Sequence, residues 1–347
     1  VTALIQASND DIERVAHIKD RVAAVAALGT KIKWTRSVKR DLSAGVRYDL
    51  KPAIVPAHYR PYCKRFLYYF DPQLNEMPNL MPSFFGPSGG RSNKSLVFTD
   101  PTSQKPFMSW VTELCPDMHL VGAAAGGVCV PRIAGLDSDS RDNITDWGLD
   151  QFKRHYTPGR EKAKKPITKD AIFHYVYGVL HDPVYREKYA LNLKREFPRI
   201  PFYPDFWAWA AWGEELMDLH IGYEKVAPAK LKRADKVDEK LKDTGTSPKV
   251  ILKADKEAVR IVLDSETSLS GIPGEAWDYR LGNRCALEWI LDQYKEKKPK
   301  DPTIREKFNT YRFADHKEKV IDLLLRVTTV SVRTVEITRA MEKAARS

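Results

Sequence analysis

The stretch Thr168-Lys-Asp-Ala-Ile-Phe-His-Tyr-Val-Tyr-Gly-Val-Leu-His-Asp-Pro-Val-Tyr-Arg-Glu-Lys-Tyr189 decides how this chain is read. It opens on a residue type that caps helices, then carries Ile172, Tyr175, Val176, Val179 and Leu180 at helical spacing. Asp182-Pro183 supplies a second cap, followed by the residue whose missing N–H costs nothing in a first turn. Tyr185, Tyr189, Leu193 and Phe197 then recur every four residues until Pro198-Arg-Ile-Pro201 stops the helix. Asp205 caps a third helix, rich in Trp207, Trp209 and Trp212. Three capped helices within 161–225 define a helical lobe in the middle of the chain.

Working upstream, residues 52–135 read as β-rich. Tyr59 to Phe70 is aromatic and ends at the turn pair Asp71-Pro72, and Lys94–Thr99, Phe107–Leu114 and Leu120–Val130 look like strands. Between them, Ser83 to Asn93 holds Gly86, Pro87, Gly89 and Gly90 and reads as an exposed loop. Earlier still, Ser8 to Asp11 caps a helix carrying Ile12, Val15, Ile18, Val22 and Val25, closed by Gly29, and Lys31 to Arg40 reads as strand and loop. Downstream, Ala227 to Lys249 reads as a charged hairpin or linker, Val250–Leu252 and Ile261–Leu263 as short strands, and Cys285–Tyr294 as a helix. Leu323, Val327, Val330, Thr334, Ile337 and Met341 alternate spacings of four and three, the packing seam of a last helix. The fold class is therefore α+β. It comprises a β-rich N-terminal lobe (1–160), the helical lobe (161–225), the charged segment (226–249) and a small mixed C-terminal lobe (250–347) ending in a long helix.

Fifty-seven Lys and Arg against 46 Asp and Glu leave a net charge of +11 over 347 residues. That excess allows a cationic face towards a polyanion without requiring one. The four cysteines form no CxxC pair and read as reduced thiols, and no apolar run approaches the length of a membrane span, so a cytoplasmic protein is expected. A start at Val1 suits a domain excised from a longer polypeptide.

The motifs of catalysis are missing. Lys94 lies too far from Gly90 for a phosphate-binding GxxxxGK[ST] loop, Gly122 to Gly127 lacks GxGxxG order, and neither HExxH nor GxSxG occurs. No Pro-Pro pair is present to build the Pro-Pro-aromatic loop of an amino-methyltransferase. His174, His181 and His220 fall on expected helices and read as packed or surface histidines, and Glu214 and Glu215, being adjacent, face apart. No catalytic, cofactor-binding or metal-binding residue is expected, and the chain alone is expected not to be an enzyme.

What remains is cationic and aromatic. Tyr59 to Tyr69 interleaves Arg60, Lys64 and Arg65 with Tyr59, Tyr62 and Tyr68, which suits phosphate contact and base stacking as well as it suits a strand with one wet face. Arg199 sits in a stiff loop between two prolines, where it contacts phosphate or caps a helix end. Tyr279-Arg280-Leu-Gly-Asn283-Arg284 precedes a helix; Arg reads guanine and Asn adenine, but a plain turn before a cap has the same composition.

One resemblance runs nearly end to end. Its residues are Lys33-Trp-Thr-Arg36 with Lys39-Arg-Asp41, Tyr59-Arg-Pro-Tyr-Cys-Lys64, Leu74-Asn-Glu76, Asp142-Asn-Ile-Thr-Asp-Trp147, Ile167-Thr-Lys-Asp-Ala-Ile-Phe173 and Tyr175-Val-Tyr-Gly178. The string His181 to Tyr189 follows, then Glu196-Phe-Pro-Arg-Ile-Pro201, Tyr279-Arg280, Ala286-Leu-Glu-Trp-Ile290 and Val327-Thr-Thr-Val-Ser-Val332. In this order they resemble the C-terminal specificity domain of type ISP restriction–modification enzymes. The resemblance implies a full enzyme with a nuclease, a DNA-translocating ATPase, a coupler and an adenine-N6 methyltransferase. It also implies that S-adenosylmethionine, ATP and Mg²⁺ are used upstream and that no cofactor is held by this chain. The implied partners are double-stranded DNA and the methyltransferase domain of the same polypeptide, with the chain acting as a monomer and no membrane involved. The implied role is to read an asymmetric site and present an adenine for flipping; a protein-docking or scaffold domain of the same enzyme, using the aromatic helix around Trp207 to Trp212, is the alternative. Family members read different sites yet share these motifs, so base readout is expected from the less familiar stretches. These are Ser88, Arg91, Asn93 and Lys94 in one loop, and Tyr279, Arg280, Asn283 and Arg284 in another. Arg60, Lys64, Arg65 and Arg199 are expected on the DNA backbone.

Overall fold

The computed structural model describes residues 40–41, 43–47, 54–69, 80–103, 105–122, 126–135, 137–157, 165–236, 239, 247–300, 305–306 and 309–346. The helix expected between Ser8 and Gly29 and all but the last residue of Lys31–Arg40 lie outside the described residues.

The aromatic run at Tyr59 folds back on itself. Strand β1 (Ile54–Arg60) pairs antiparallel with β2 (Cys63–Tyr68) across a tight turn at Pro61 and Tyr62. Tyr62 takes a left-handed backbone (φ 57°), and its buried ring packs edge-on against Trp110 and Tyr223. Helix α1 (Met81–Phe85) follows, then β3 (Ser95–Thr99), β4 (Ser109–Thr112), β5 (Cys115–Pro116), β6 (Gly127–Pro131), β7 (Ile133–Ala134) and β8 (Arg141–Asp142). Three small sheets result, in the orders β2-β1-β5, β4-β3-β6 and β7-β8. The strand expected over Leu120–Val130 is confined to its end: Leu120 and Val121 lie in a turn, and 123–125 lie outside the described residues. Every residue of β3 is buried, because both its faces are covered.

Helix α2 (Asp146–Tyr156) leads into the helical lobe of α3 (Lys169–Val179), α4 (Pro183–Lys188) and α5 (Phe206–Ile221). All three sequence-assigned caps form: Thr168 accepts from the Ala171 N–H at 3.1 Å, Asp182 from Val184 at 3.1 Å and Asp205 from Ala208 at 3.0 Å. Helix α4 ends earlier than its four-residue repeat implied. Leu193 falls in a separate 3₁₀ turn and Phe197 is exposed. Helices α3 and α5 cross at two glycines; a Cβ on Gly178 would come within 2.6 Å of the Trp209 carbonyl oxygen.

In the C-terminal lobe, β9 (Lys232–Asp235), β10 (Val250–Asp255), β11 (Arg260–Asp264) and β12 (Thr267–Ser270) form a sheet ordered β10-β11-β12-β9. The charged segment thus contributes an edge strand, its four residues exposed, as edges protected by charge commonly are. Helix α6 (Glu275–Asp278), the hairpin β13 (Arg280–Leu281) and β14 (Arg284–Cys285), α7 (Ala286–Gln293) and the long α8 (Lys317–Glu342) complete the chain. The class is α+β, closed by a long final helix as expected.

Two large apolar clusters form the core. One joins Trp110 and Val97 to the C-terminal sheet, α7 and the first half of α8; the other joins α3 and α5 to Ile337 and Met341 near the end of α8. All six seam positions of α8 are buried. Between the clusters, the buried His220 ring stacks between Trp110 (centroids 5.3 Å) and Tyr279 (5.5 Å). Its Nδ1 lies 2.7 Å from the Tyr177 hydroxyl, and its Nε2 lies 3.0 Å from the Tyr279 hydroxyl and 3.1 Å from Thr334 Oγ1.

Candidate nucleic-acid interface

A cleft of about 260 Å³ opens where the β1–β2 hairpin meets the β13–β14 hairpin. Arg60, Lys105, Arg284 and Lys297 line it, with Asn283 between them and Asp292 as the one carboxylate. Four segments distant in sequence supply these cations: the end of β1, the β3–β4 connection, the β13–β14 turn and the chain leaving α7. In a low-dielectric cleft such charges reinforce one another's field towards an anion.

Local folding fixes each group. Arg60 is largely buried; its guanidinium donates to Asp117 Oδ1 and to the Tyr59 carbonyl, both at 2.5 Å, and lies 4.1 Å from the Tyr59 ring centre. The β13–β14 hairpin turns on Gly282 (φ 66°) and Asn283, a two-residue loop that requires a left-handed residue. A Cβ on Gly282 would touch nothing within 4 Å, so the turn faces open space. Asn283 is exposed at its tip, and its carbonyl accepts from Arg280 Nη2 at 2.6 Å. Arg284 pairs with Asp292 at 2.8 Å and lies 5.3 Å from the Trp289 ring centre.

The remaining sequence-assigned residues fall elsewhere. Tyr279 is buried against His220 and presents nothing to a ligand, and Arg280 braces the turn. The cationic run does not act as one patch. Lys64 pairs with Glu224 at 2.6 Å, with its ammonium 4.9 Å from the Tyr223 ring centre, in a separate smaller pocket that also holds His58. Burial first, and Lys64 second, push the His58 pKa down to about 3. Arg65 donates to the Gln293 carbonyl at 3.3 Å. Arg199 is 86% exposed, paired with Glu196 at 2.7 Å on the helical lobe.

The loop expected to be exposed is so only in part: Pro87, Ser88, Gly90 and Ser92 are exposed, while Arg91 and Asn93 are tied down. Asn93 is buried, its amide donating to the Phe84 carbonyl at 3.0 Å and the Ile133 carbonyl at 2.8 Å, while its oxygen accepts from the Ile133 N–H at 3.3 Å. With its side chain occupied in joining α1 to β7, Asn93 has no donor left for a base. Arg91 donates to the Gly135 carbonyl at 2.7 Å and to Ser140 at 3.3 Å; Ser88 is exposed and Lys94 half-buried. This loop enters β3 at one end and Lys105 follows the other, about 14 Å away at the rise of an antiparallel strand. The two segments assigned to readout therefore lie at different places. Lys105 and Lys297 were not found from sequence; Lys297 sits in the run Lys295-Glu-Lys-Lys-Pro-Lys300, which signals a polar turn and nothing about its neighbours in space. Among the described residues, no group of three or more His, Cys, Asp or Glu side chains is arranged to hold a metal ion.

A cationic cleft between two hairpins of an α+β chain is suited to receive an anion. The family model of the Type ISP C-terminal specificity domain matches residues 1–323, and the chain belongs to that family. Among solved structures, it is similar to a chain of the cryoEM DrdV–DNA complex (44% identity, TM-score 0.86), covering 97% of this chain and 33% of that one. A nuclease-deletion mutant of the Type ISP restriction-modification enzyme LlaGI in complex with a DNA substrate mimic is 26% identical, with a TM-score of 0.75 over 99% of this chain and 30% of that one. The ATP-dependent Type ISP enzyme LlaBIII bound to DNA shares the fold (22% identity, TM-score 0.77) over 99% of this chain and 22% of that one. The chain thus spans no more than a third of these proteins' lengths. A comparison with curated proteins found no match. No helix in the described part is long and apolar enough to cross a membrane.

Proposed function

We propose that this chain recognises a specific double-stranded DNA site for a type ISP restriction–modification enzyme. In doing so it positions the target adenine for the methyltransferase of the same polypeptide. The observation that carries the reading is the convergence of Arg60, Lys105, Arg284 and Lys297 on one cleft whose rim carries an exposed Asn283. Lys105 and Lys297 neutralise phosphates and set register; Asn283, on the two-residue turn, and Arg284, at the start of β14, reach base edges. Ser88, Arg91 and Lys94 form a second, separate contact further along the duplex. Presentation of the adenine rests on family membership. S-adenosylmethionine, ATP and Mg²⁺ belong to the other domains of the full enzyme.

Of the aromatic helix on which the protein-docking alternative rests, Trp209 is packed in the core, while Trp207, with the Lys165 ammonium 4.0 Å from its ring centre, and Trp212 are half-buried. The deciding experiment is duplex binding by fluorescence anisotropy across a salt series. Lys105→Ala and Lys297→Ala should each reduce the slope of log K against log salt by about 1, equally for all sequences. Affinity indifferent to salt would favour protein docking instead.

A further inference from the structure

Arg284 is held in a way that an exposed arginine on a DNA-reading turn need not be. Its Nη1 side is taken by Asp292 at 2.8 Å, and one face of the guanidinium lies over Trp289. Trp289 is itself fixed: it is buried, and its indole N–H donates to the Leu281 carbonyl at 2.9 Å, across the same hairpin. The next residue is locked as well, because the Cys285 N–H donates to Glu288 at 2.8 Å in a capping box that starts α7. Asp292 sits on the last turn of that helix; its Oδ2 forms the ion pair with Arg284 and accepts from the Gln293 amide at 3.2 Å. Among the described residues no other acceptor engages the Arg284 guanidinium, and Arg284 lines the cleft beside the open Gly282 turn.

An unrestrained arginine must give up rotamer freedom to make a bidentate contact, and the fork loses discrimination when it wobbles. A carboxylate beside the guanidinium and a ring against its face reduce both costs before DNA arrives. We propose that Asp292 is a positioning residue for base recognition: it clamps Arg284 so that the free Nε–Nη2 fork reads a guanine through O6 and N7. The inference rests on the DNA-recognition reading above and adds the source of its selectivity. Asp292 contributes by orientation; as a charge it opposes DNA.

That opposition makes the test sharp. The full chain is used to select from a pool of randomised duplexes, and bound sequences are compared for the wild type, Arg284→Ala, Asp292→Asn and Asp292→Glu. Thermal melting of each variant shows whether it is folded. The wild type should enrich a defined site, and Arg284→Ala should lose about tenfold preference at one guanine. Asp292→Asn should flatten preference at that same position while binding a scrambled duplex as well as the wild type or better, and Asp292→Glu should restore part of the preference. The inference is overturned if Asp292→Asn keeps the preference that Arg284→Ala loses, if it weakens all positions alike, or if Arg284→Ala alters no position. A wild type that binds DNA without enriching any base overturns it together with the specificity reading. Failure to bind DNA at all removes the function itself.

Discussion

Three histidines, His58, His181 and His220, are buried where a proton cannot be accommodated. Burial is the main cause in each case; it pushes His58 and His220 down to about 3 and His181 well below its usual value. In the unfolded chain the same rings titrate near 6.5. Below that pH the unfolded state takes up protons that the folded state refuses. The stabilisation is therefore complete above about 6.5 and is lost as pH falls from there towards 3. Each ring steepens the fall by about 1.4 kcal/mol per pH unit. Urea midpoints between pH 7.5 and 4.5 should drop steeply, and His220→Gln, although less stable throughout, should show a shallower slope. An unchanged slope would mean that His220 is protonated in the folded protein. The sequence placed His181 and His220 on expected helices and suited them to packing; His181 falls instead in the turn that follows α3, and His58, on β1, carried no such signal. The sequence did not show the stack on Trp110 and Tyr279, because those partners come from β4 and from the loop before β13, joined to α5 only by the fold.

Helical caps were legible because their chemistry is local: a Thr or Asp oxygen and an amide two or three residues on suffice. The α3–α5 crossing was not, because a glycine's role depends on what faces it. A Cβ on Gly213 would collide with the His174 carbonyl, and one on Gly178 with Trp209. Gly213→Ala should cost about 1–3 kcal/mol by forcing the helices apart. Gly274→Ala, at a helical backbone position with open space around it, should be neutral or slightly stabilising. Equal thermal midpoints for the two variants would show that the helices can separate without penalty. The same contrast between local and non-local explains the hairpin at Tyr62 and the buried Asn93. Glycines and polar residues in 83–93 signal irregular backbone, but one of the two carbonyls that draw Asn93 inward comes from β7, forty residues later.

At the scale of the molecule, the cationic cleft is a product of assembly, since Arg60, Lys105, Arg284 and Lys297 converge only when β1, β3 and α7 have packed. Helix α8 spans both apolar clusters, its first half in one and its end in the other. The chain beyond it adds a further tie. Arg346 donates to Asp182 through Nη2 at 2.6 Å and Nε at 3.1 Å. Asp182 is wholly buried, caps α4 and accepts from the Tyr203 hydroxyl at 3.0 Å. Removing one partner of such a pair leaves a carboxylate that must be desolvated without its cation, a loss of about 3 kcal/mol. Arg339, paired with Glu275 and Asp278 at the surface, is the matched control; its loss should cost under about 1 kcal/mol. Arg346→Ala should therefore lower the denaturation midpoint several times more than Arg339→Ala. The tie secures α4, on the helical lobe, rather than the cleft. At low temperature, where Arg346→Ala remains folded, its DNA affinity should match the wild type. A variant that loses DNA binding while still folded would instead show that the two ends of α8 are coupled.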